Sequence, residues 1–196
     1  MDSNRSITQC YIDESIHTKA GFVVTAFIFA SGRFDRDVAK VLSSSGLTPR
    51  QDEFKSSFRM DSNPKMRAAR EGLLSLAGSG ARVAVYIGPF DTFGFERDSL
   101  GKHSLQALQS TLVRNSIRTS RLSVYFDNDI FPSEKEAKRL HRLFHYLRAC
   151  NLYPREDSCI RLGIQVADAV AHSFAQILCG VGSFIVTNVD ISSITD

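Results

Sequence analysis

Two aspartates end predicted strands, and they are the first candidates for chemistry in this sequence. Asp13 follows the apolar residues at 11–12, and Asp127 follows the apolar stretch 124–126 in the same way. If the two strands are neighbours, both carboxylates open onto one edge of the sheet, where α/β proteins commonly bind ligands. Either aspartate alone could instead form a turn or cap a helix.

A third aspartate lies in a predicted helix that is apolar around most of its circumference. At 100° per residue, the polar side chains of Gln165, Asp168, His172 and Gln176 fall within an arc of about 80°. This narrow stripe either lies in water or faces the strand-end acids. In the second case Asp168 needs a cation or hydrogen-bond donors nearby to remain ionised, and a metal ion would serve.

The segment 53–60 carries an acid and a base close together, in a pattern that fits either a strand or the start of a helix. In a strand, Glu53 and Lys55 share one face, whereas in a helix they diverge. A simple surface ion pair is the alternative to a role in a site.

The elements that must position these side chains follow from the apolar spacing. Strands are predicted over 8–13, 21–30, 82–87 and 121–127, with a turn near 17–20 between the first two. Helices are predicted over 34–42, from Pro64 to 78–80, over 99–119, from 134 to about 149 behind an S-x-x-E capping box, and over 162–179. Residues around Pro154 interrupt the pattern, and 183–196 are strand-like at first and polar at the end, without a place in the predicted fold. This order favours an α/β fold, a mixed sheet with helices packed on it.

Length and composition fit one globular domain over residues 1–196. The 196 residues are 43% hydrophobic, and 23% charge with 14 Phe excludes a disordered polyelectrolyte. No apolar run approaches the roughly 20 residues of a membrane span. The start of the chain, MDSNRSITQC, lacks the apolar core of a signal peptide, so a cytoplasmic location is expected. The four cysteines form no C-x-x-C pair and are expected to be free thiols.

Other chemistries have little support. No G-x-x-x-x-G-K-[ST] motif occurs, which argues against a Walker-type NTPase. His141 and His145 would form half of a zinc site on one helix face, but no third ligand follows at a suitable spacing. Ser15 beside His17 lacks the pattern of a nucleophile elbow.

Four motifs in order resemble the domain of unknown function 3800 family. They are Y-I-D-E-S at 11–15, E-F-K at 53–55, V-Y-F-D ending at Asp127, and Ser158 followed by I-Q-V-A-D-A-V-A at 164–171. This family is similar to ribonuclease-H-like proteins, so the resemblance implies an α/β fold with a mixed five-stranded sheet flanked by helices. It also implies a site formed by Asp13, Glu53, Asp127 and Asp168. The sequence departs from the family at Ile16, where glycine is common, which bears on the shape of the turn.

Four gathered carboxylates suit the hydrolysis of a phosphodiester. Two divalent ions about 3.5 to 4 Å apart can activate a water molecule and stabilise the leaving oxygen. Oxygen ligands favour Mg²⁺ or Mn²⁺ over Zn²⁺. We expect Asp13 to bridge the two ions, with Glu53 and Asp127 on one and Asp168 on the other. Lys55 could contact a nonbridging phosphate oxygen, and Gln165 could orient Asp168 or the substrate.

The charge balance suggests a nucleic-acid partner, either DNA or RNA. The formal charge is +3, and it becomes +7 when the four candidate acids are set aside. Lys138, Arg139 and Arg142 lie on the helix predicted after Asp127 and are candidate backbone contacts, although cations at a helix end also complement its dipole.

The sequence therefore predicts a metal-dependent nuclease or a related phosphodiester-hydrolysing enzyme. The alternative is a noncatalytic module that keeps the fold and binds nucleic acid or protein. The presence of all four acids favours the enzyme, because a pure binder gains nothing from clustered negative charge facing phosphates.

Overall fold

The computed structural model describes residues 6–57, 60–89, 97–180 and 189–193. Within these ranges the strands are β1 Gln9–His17, β2 Phe22–Ala30, β3 Arg82–Pro89, β4 Ser123–Asp127, β5 Asn151–Glu156 and β6 Val189–Ser193. The α-helices are α1 Phe34–Ser44, α2 Pro64–Gly80, α3 Arg97–Arg114, α4 Glu134–His141 and α5 Gly163–Leu178. Two short 3-10 helices lie at Met60–Ser62 and His145–Ala149.

The strands form one mixed sheet in the order β5-β4-β1-β2-β3-β6. Strand β2 is antiparallel to both β1 and β3. Strand β4 is parallel to both β1 and β5, and β6 is parallel to β3. The predicted α/β class with a mixed sheet is confirmed. The described sheet has six strands, one more than the resemblance implies. Strand β6 lies in the segment 183–196, which the sequence left without a place in the fold.

Helices cover both faces of the sheet, and the alternation of side chains along each strand decides which layer a residue meets. Tyr11 of β1 and Tyr125 of β4 pack in the core formed with α1, α2 and α5. Ile12 and Phe126 pack in the opposite core, formed with α3 and α4. Asp13 and Asp127 follow the two tyrosines by two residues, so both aspartates belong to the α5 layer.

The helix predicted from 134 to about 149 is shorter than expected. Its start is confirmed, since Ser133 Oγ accepts a hydrogen bond from the backbone N–H of Glu136 at 3.1 Å. It ends at His141, and the chain turns back so that Leu147 reaches the core and β5 can begin beside β4. His141 and His145 therefore do not lie on one helix face, because His145 lies beyond the helix end.

Strand β5 is an addition that the sequence pattern did not predict. It forms one edge of the sheet, and its side chains alternate between exposed and half-buried. Pro154 lies where the pairing with β4 becomes irregular, between the Tyr125–Tyr153 and Asp127–Glu156 pairs. Edge strands and bulges are the places in a sheet where proline is tolerated.

Two further expectations concern the whole fold. All four cysteines are free thiols, as predicted. Among the helices of the described ranges, none has the length and apolarity that crossing a lipid bilayer requires.

Candidate active site

Asp13 and Asp127 lie side by side at one end of the β1–β4 ladder. The two strands are parallel neighbours, and their register pairs Tyr11 with Tyr125 and Ile12 with Phe126. Asp127 is the last residue of β4, whereas β1 continues to His17, so Asp13 stands where β1 extends beyond its partner. Both carboxylates are buried, with 7% of Asp13 and 9% of Asp127 exposed.

Asp168 reaches the same place from α5, which packs across β1 and β2. Burial raises the pKa of Asp13 well above its usual value, and the charges of Glu14, Asp127 and Asp168 raise it further. The pKa of Asp168 is raised to about 6 by burial, against the lowering effect of a hydrogen bond from Ser56 and of the Lys55 charge. The structure thus brings Asp13, Asp127 and Asp168 into one electrostatic cluster.

Glu14 joins this cluster, although the sequence interpretation assigned it no role. Burial and the charges of Asp127, Asp129 and Asp168 raise its pKa to about 8. One carboxylate oxygen of Glu14 is buried and has no hydrogen-bond partner among the described residues. The available signal was its position directly after Asp13 in the D-E-S motif. Asp13, Glu14, Asp127 and Asp168 are called the acid cluster below.

Glu53 and Lys55 lie in a loop that is neither strand nor helix. Residues 53–56, called the site loop below, run between α1 and α2. Lys55 Nζ lies 3.0 Å from Glu53 Oε1, and the hydroxyl of Ser158 donates a hydrogen bond to the same carboxylate. Glu53 is therefore held beside the acid cluster by a base and a hydroxyl.

Lys55 supplies positive charge to the acid cluster. Partial burial lowers its pKa, but the hydrogen bond to Glu53 and the charges of Asp127, Glu53 and Asp13 outweigh that effect and raise the pKa overall. The same ammonium lowers the pKa of Asp127 and of Asp168 against the raising effect of their burial. Lys55 therefore remains a cation and neutralises part of the repulsion between the acids.

Helix α5 fixes the site loop through two polar side chains. Gln165 is fully buried, and its Oε1 accepts from the backbone N–H of Phe54 at 3.0 Å while its Nε2 donates to the carbonyl of Ser158 at 2.9 Å. Asp168 Oδ2 accepts from the backbone N–H of Ser56 at 2.8 Å. Gln165 is thus a positioning residue for the loop that carries Glu53 and Lys55. Its amide does not hydrogen-bond Asp168, and it is buried away from the surface where a substrate would bind.

The polar stripe of α5 is covered by protein. The site loop packs over Gln165 and Asp168, and Arg70 of α2 donates to Gln176 Oε1 at 2.7 Å and to Ser173 Oγ at 3.1 Å. The stripe is therefore not a solvated seam, but of the residues in these contacts Asp168 meets the acids, Gln165 meets the site loop and Gln176 meets α2.

The donor chemistry of the acid cluster fits a hard divalent cation, but its side chains are not grouped as a set of metal ligands. Carboxylate oxygens are the ligands that Mg²⁺ and Mn²⁺ prefer, and the unpartnered oxygen of Glu14 is free to accept one. As they stand, however, no three His, Cys, Asp or Glu side chains in the described part of the chain are grouped to hold a metal ion.

The basic residues of α4 lie on the other side of the sheet. Lys138 pairs with Glu134 at 3.5 Å and Arg139 pairs with Glu136, each within the helix, and Arg142 follows the helix end. These residues line a surface hollow of about 850 Å³, but α4 packs in the core opposite to the α5 layer. The hollow and the α5 layer that carries Asp168 therefore lie on opposite faces of the sheet.

Comparisons with known proteins identify the fold. No family model matches the chain, and no curated protein matches it. Among solved structures, a crystal structure of a mutant Bst-RNase HIII matches with a TM-score of 0.53 and 13% sequence identity, over 90% of this chain and 56% of that chain. The chain thus spans little more than half the length of that RNase HIII. The match confirms the predicted ribonuclease-H-like fold, while membership of the domain of unknown function 3800 family stays a prediction.

Proposed function

We propose that this protein is a metal-dependent nuclease or a related phosphodiester-hydrolysing enzyme. The observation that carries the proposal is the acid cluster, in which carboxylates from β1, β4 and α5 meet at one end of a strand ladder and raise each other's pKa values. Lys55 neutralises only part of the repulsion in this cluster. Buried carboxylates that exceed their matching cations cost stability, so their assembly calls for a reason other than folding.

The ligands we assign are Asp13, Glu53, Asp127 and Asp168, with Glu14 as an additional donor. Bound Mg²⁺ or Mn²⁺, expected as two ions, would activate water and stabilise the leaving oxygen. Ser158 orients the Glu53 carboxylate, and Gln165 holds the loop that carries it. We expect Lys55 to donate to a nonbridging phosphate oxygen once a cation compensates the acids. The proposed partner is a nucleic acid, DNA or RNA.

A manganese titration of the melting temperature tests the metal site directly. We expect Mn²⁺ to raise the melting temperature of the wild type, because a ligand at 100 times its dissociation constant stabilises the folded state by about 2.7 kcal/mol. For a chain of this size, that gain corresponds to roughly 5 to 11 °C. Asp13→Asn should abolish most of the shift. The matched control is Asp37→Asn, which removes an acid on α1 that pairs with Lys40.

Cleavage assays complete the test. Labelled single-stranded DNA, single-stranded RNA, both duplexes and an RNA–DNA hybrid are incubated with Mg²⁺ or Mn²⁺, and with EDTA as the control. The noncatalytic module is the second candidate, and the absence of a ready ligand group in the described residues favours it. Nucleic-acid binding without any metal shift or cleavage would establish that candidate in place of the enzyme.

The α4 cations give a prediction about the substrate path. Replacing Lys138, Arg139 and Arg142 together by alanine should make the log-log salt slope of duplex binding shallower by no more than about 0.9, the value for one phosphate contact. The reason is that Lys138 and Arg139 already pair with glutamates. Fold stability should change by about 0.5 kcal/mol or less, as is usual for exposed positions. Fluorescence anisotropy at several salt concentrations measures the slope, and a change near 2.7 would show that all three cations contact phosphates.

A further inference from the structure

Three tyrosines form a stacked row across β1, β4 and β5 on the side of the sheet that carries the acid cluster. The register of the parallel strands pairs Tyr11 with Tyr125 and Tyr125 with Tyr153. The rings of Tyr11 and Tyr125 lie 5.4 Å apart with 26° between their planes. The rings of Tyr125 and Tyr153 lie 4.8 Å apart with 20° between their planes. We call this set the tyrosine row.

The exposed fraction of the three tyrosines increases from the centre of the sheet to its edge. Tyr11 is fully buried beneath the start of α5, where a Cβ on Gly163 would lie 2.6 Å from the ring. Tyr125 is 6% exposed, with the guanidinium of Arg161 at 4.6 Å from its ring centroid. Tyr153 is 38% exposed. The row therefore ends in an aromatic ring that is supported on one side and open to solvent.

The ring of Tyr153 lies near the acid cluster, because its neighbour Tyr125 is on the same strand as Asp127. Tyr125 precedes Asp127 by two residues, which is about 6.6 Å along a strand. Tyr153 is the next ring outward from Tyr125. A group stacked on Tyr153 is thus within the reach of one nucleotide from the carboxylates.

Two arginines accompany the tyrosine row, Arg155 two residues after Tyr153 on β5 and Arg161 over the ring of Tyr125. Arg155 on β5 donates through Nε to Asn128 Oδ1 at 3.0 Å and through Nη1 to the carbonyl of Pro132 at 2.8 Å, which leaves other guanidinium N–H groups to bind a ligand. Arg161 is held by Glu156 at 3.1 Å. An exposed aromatic ring with guanidinium groups on the neighbouring residues is a surface that suits a base and its phosphates.

We propose that Tyr153 stacks an unpaired nucleobase, so that the substrate is a nucleic acid with a single-stranded nucleotide next to the reacting phosphodiester. This inference rests on the proposed nuclease function and specifies its substrate class. A base inside a duplex already has neighbours on both faces, whereas an unpaired base has a face free to stack on a side chain. A cross-strand aromatic pair that only stabilises the sheet is the competing explanation.

A single introduced fluorophore tests the stacking. The chain contains no tryptophan, so Tyr153→Trp gives a protein whose tryptophan emission comes from this position alone. With EDTA present to prevent cleavage, we expect a short oligothymidylate to quench this emission and a blunt duplex to leave it unchanged. Tyr146→Trp is the matched control, since Tyr146 is 40% exposed on the 3-10 helix after α4. Its emission should not respond to either probe.

Affinity measurements separate binding from sheet stability. Tyr153→Ala should weaken binding of the single-stranded probe by about 5- to 150-fold, the range for the loss of one base–aromatic stack. Tyr153→Phe should keep the affinity, and Tyr146→Ala should not change it. A melting curve of each variant shows that the fold is intact. Unchanged affinity of Tyr153→Ala, or emission of Tyr153→Trp that the probe does not quench, would overturn the inference.

The outcome is distinguishable from failure of the proposed function. Metal-dependent cleavage with unaltered binding by Tyr153→Ala would remove the base-stacking role and leave the nuclease in place. Stacking on Tyr153 without a manganese shift in melting temperature and without cleavage would keep the base-stacking role and remove the nuclease.

Discussion

Replacing Asp168 by asparagine is expected to reduce metal-dependent cleavage by at least about 100-fold, while the affinity for uncleaved substrate stays the same or rises. Asparagine keeps an oxygen that can accept the hydrogen bond from Ser56, so the site loop stays in position. It removes one negative charge, which weakens repulsion of phosphates and also removes a proposed metal ligand. Initial cleavage rates in Mg²⁺ and anisotropy binding curves in EDTA measure the two effects separately.

Asp37→Asn is the control for this experiment because it removes an acid of α1 that pairs with Lys40. Its cleavage rate should equal that of the wild type. Full cleavage by the Asp168→Asn protein would exclude this residue from the chemistry and would leave its bond to the site loop as its role.

Replacing Asp13 by asparagine is expected to stabilise the metal-free protein at pH 8. The gain should exceed about 1 kcal/mol, or roughly 2 to 4 °C in melting temperature, because the substitution relieves repulsion among buried carboxylates. Asparagine can still accept the hydrogen bond that Asp13 Oδ1 receives from the backbone N–H of Glu14 at 2.8 Å. The change in free energy of unfolding therefore reports the charge.

The pH dependence follows from the raised pKa values. A carboxyl whose pKa is higher in the folded state holds more protons there than in the unfolded chain, so stability falls as the pH rises through that interval. With Asp168 at about 6 and Glu14 at about 8, the stability of the metal-free wild type should fall between about pH 4 and pH 8. The fall should be smaller in the Asp13→Asn protein.

Urea unfolding with EDTA at pH 5 and at pH 8 measures both proteins. Asp37→Asn is again the control, and its stability should run parallel to that of the wild type. A clear loss of stability in the Asp13→Asn protein at pH 8 would identify Asp13 as a structural acid whose charge the fold requires.

Most of the sheet could be predicted because apolar residues mark β1 to β4, although β1 continues past its predicted end at residue 13. Strand β2 is buried along almost its whole length and was apparent from its sequence alone. Strand β5 was not, because an edge strand needs no apolar run and Pro154 followed by two charged residues has the composition of a loop. The early end of α4 follows from the need to bring β5 beside β4, which no local pattern contains.

The acid cluster shows the same division. Asp13, Asp127 and Asp168 could be singled out because each interrupts an apolar element. The roles of Gln165 and Lys55 could not, because they depend on hydrogen bonds that join the site loop to α5 across more than a hundred residues. Glu14 could not be singled out because successive side chains of a strand point to opposite faces, which places Glu14 on the other face of β1 from Asp13. Near the end of a partner strand, side chains from both faces can approach each other.

The irregular pairing at Pro154 also bears on how this protein behaves at high concentration. An exposed sheet edge offers unpaired backbone groups to any other strand and is a common starting point for aggregation. Pro154 has no N–H to donate, and the register shift beside it departs from the regular geometry that a second chain needs. The edge that leaves Tyr153 open to a small planar ligand is thereby a poor template for intermolecular β-sheet growth.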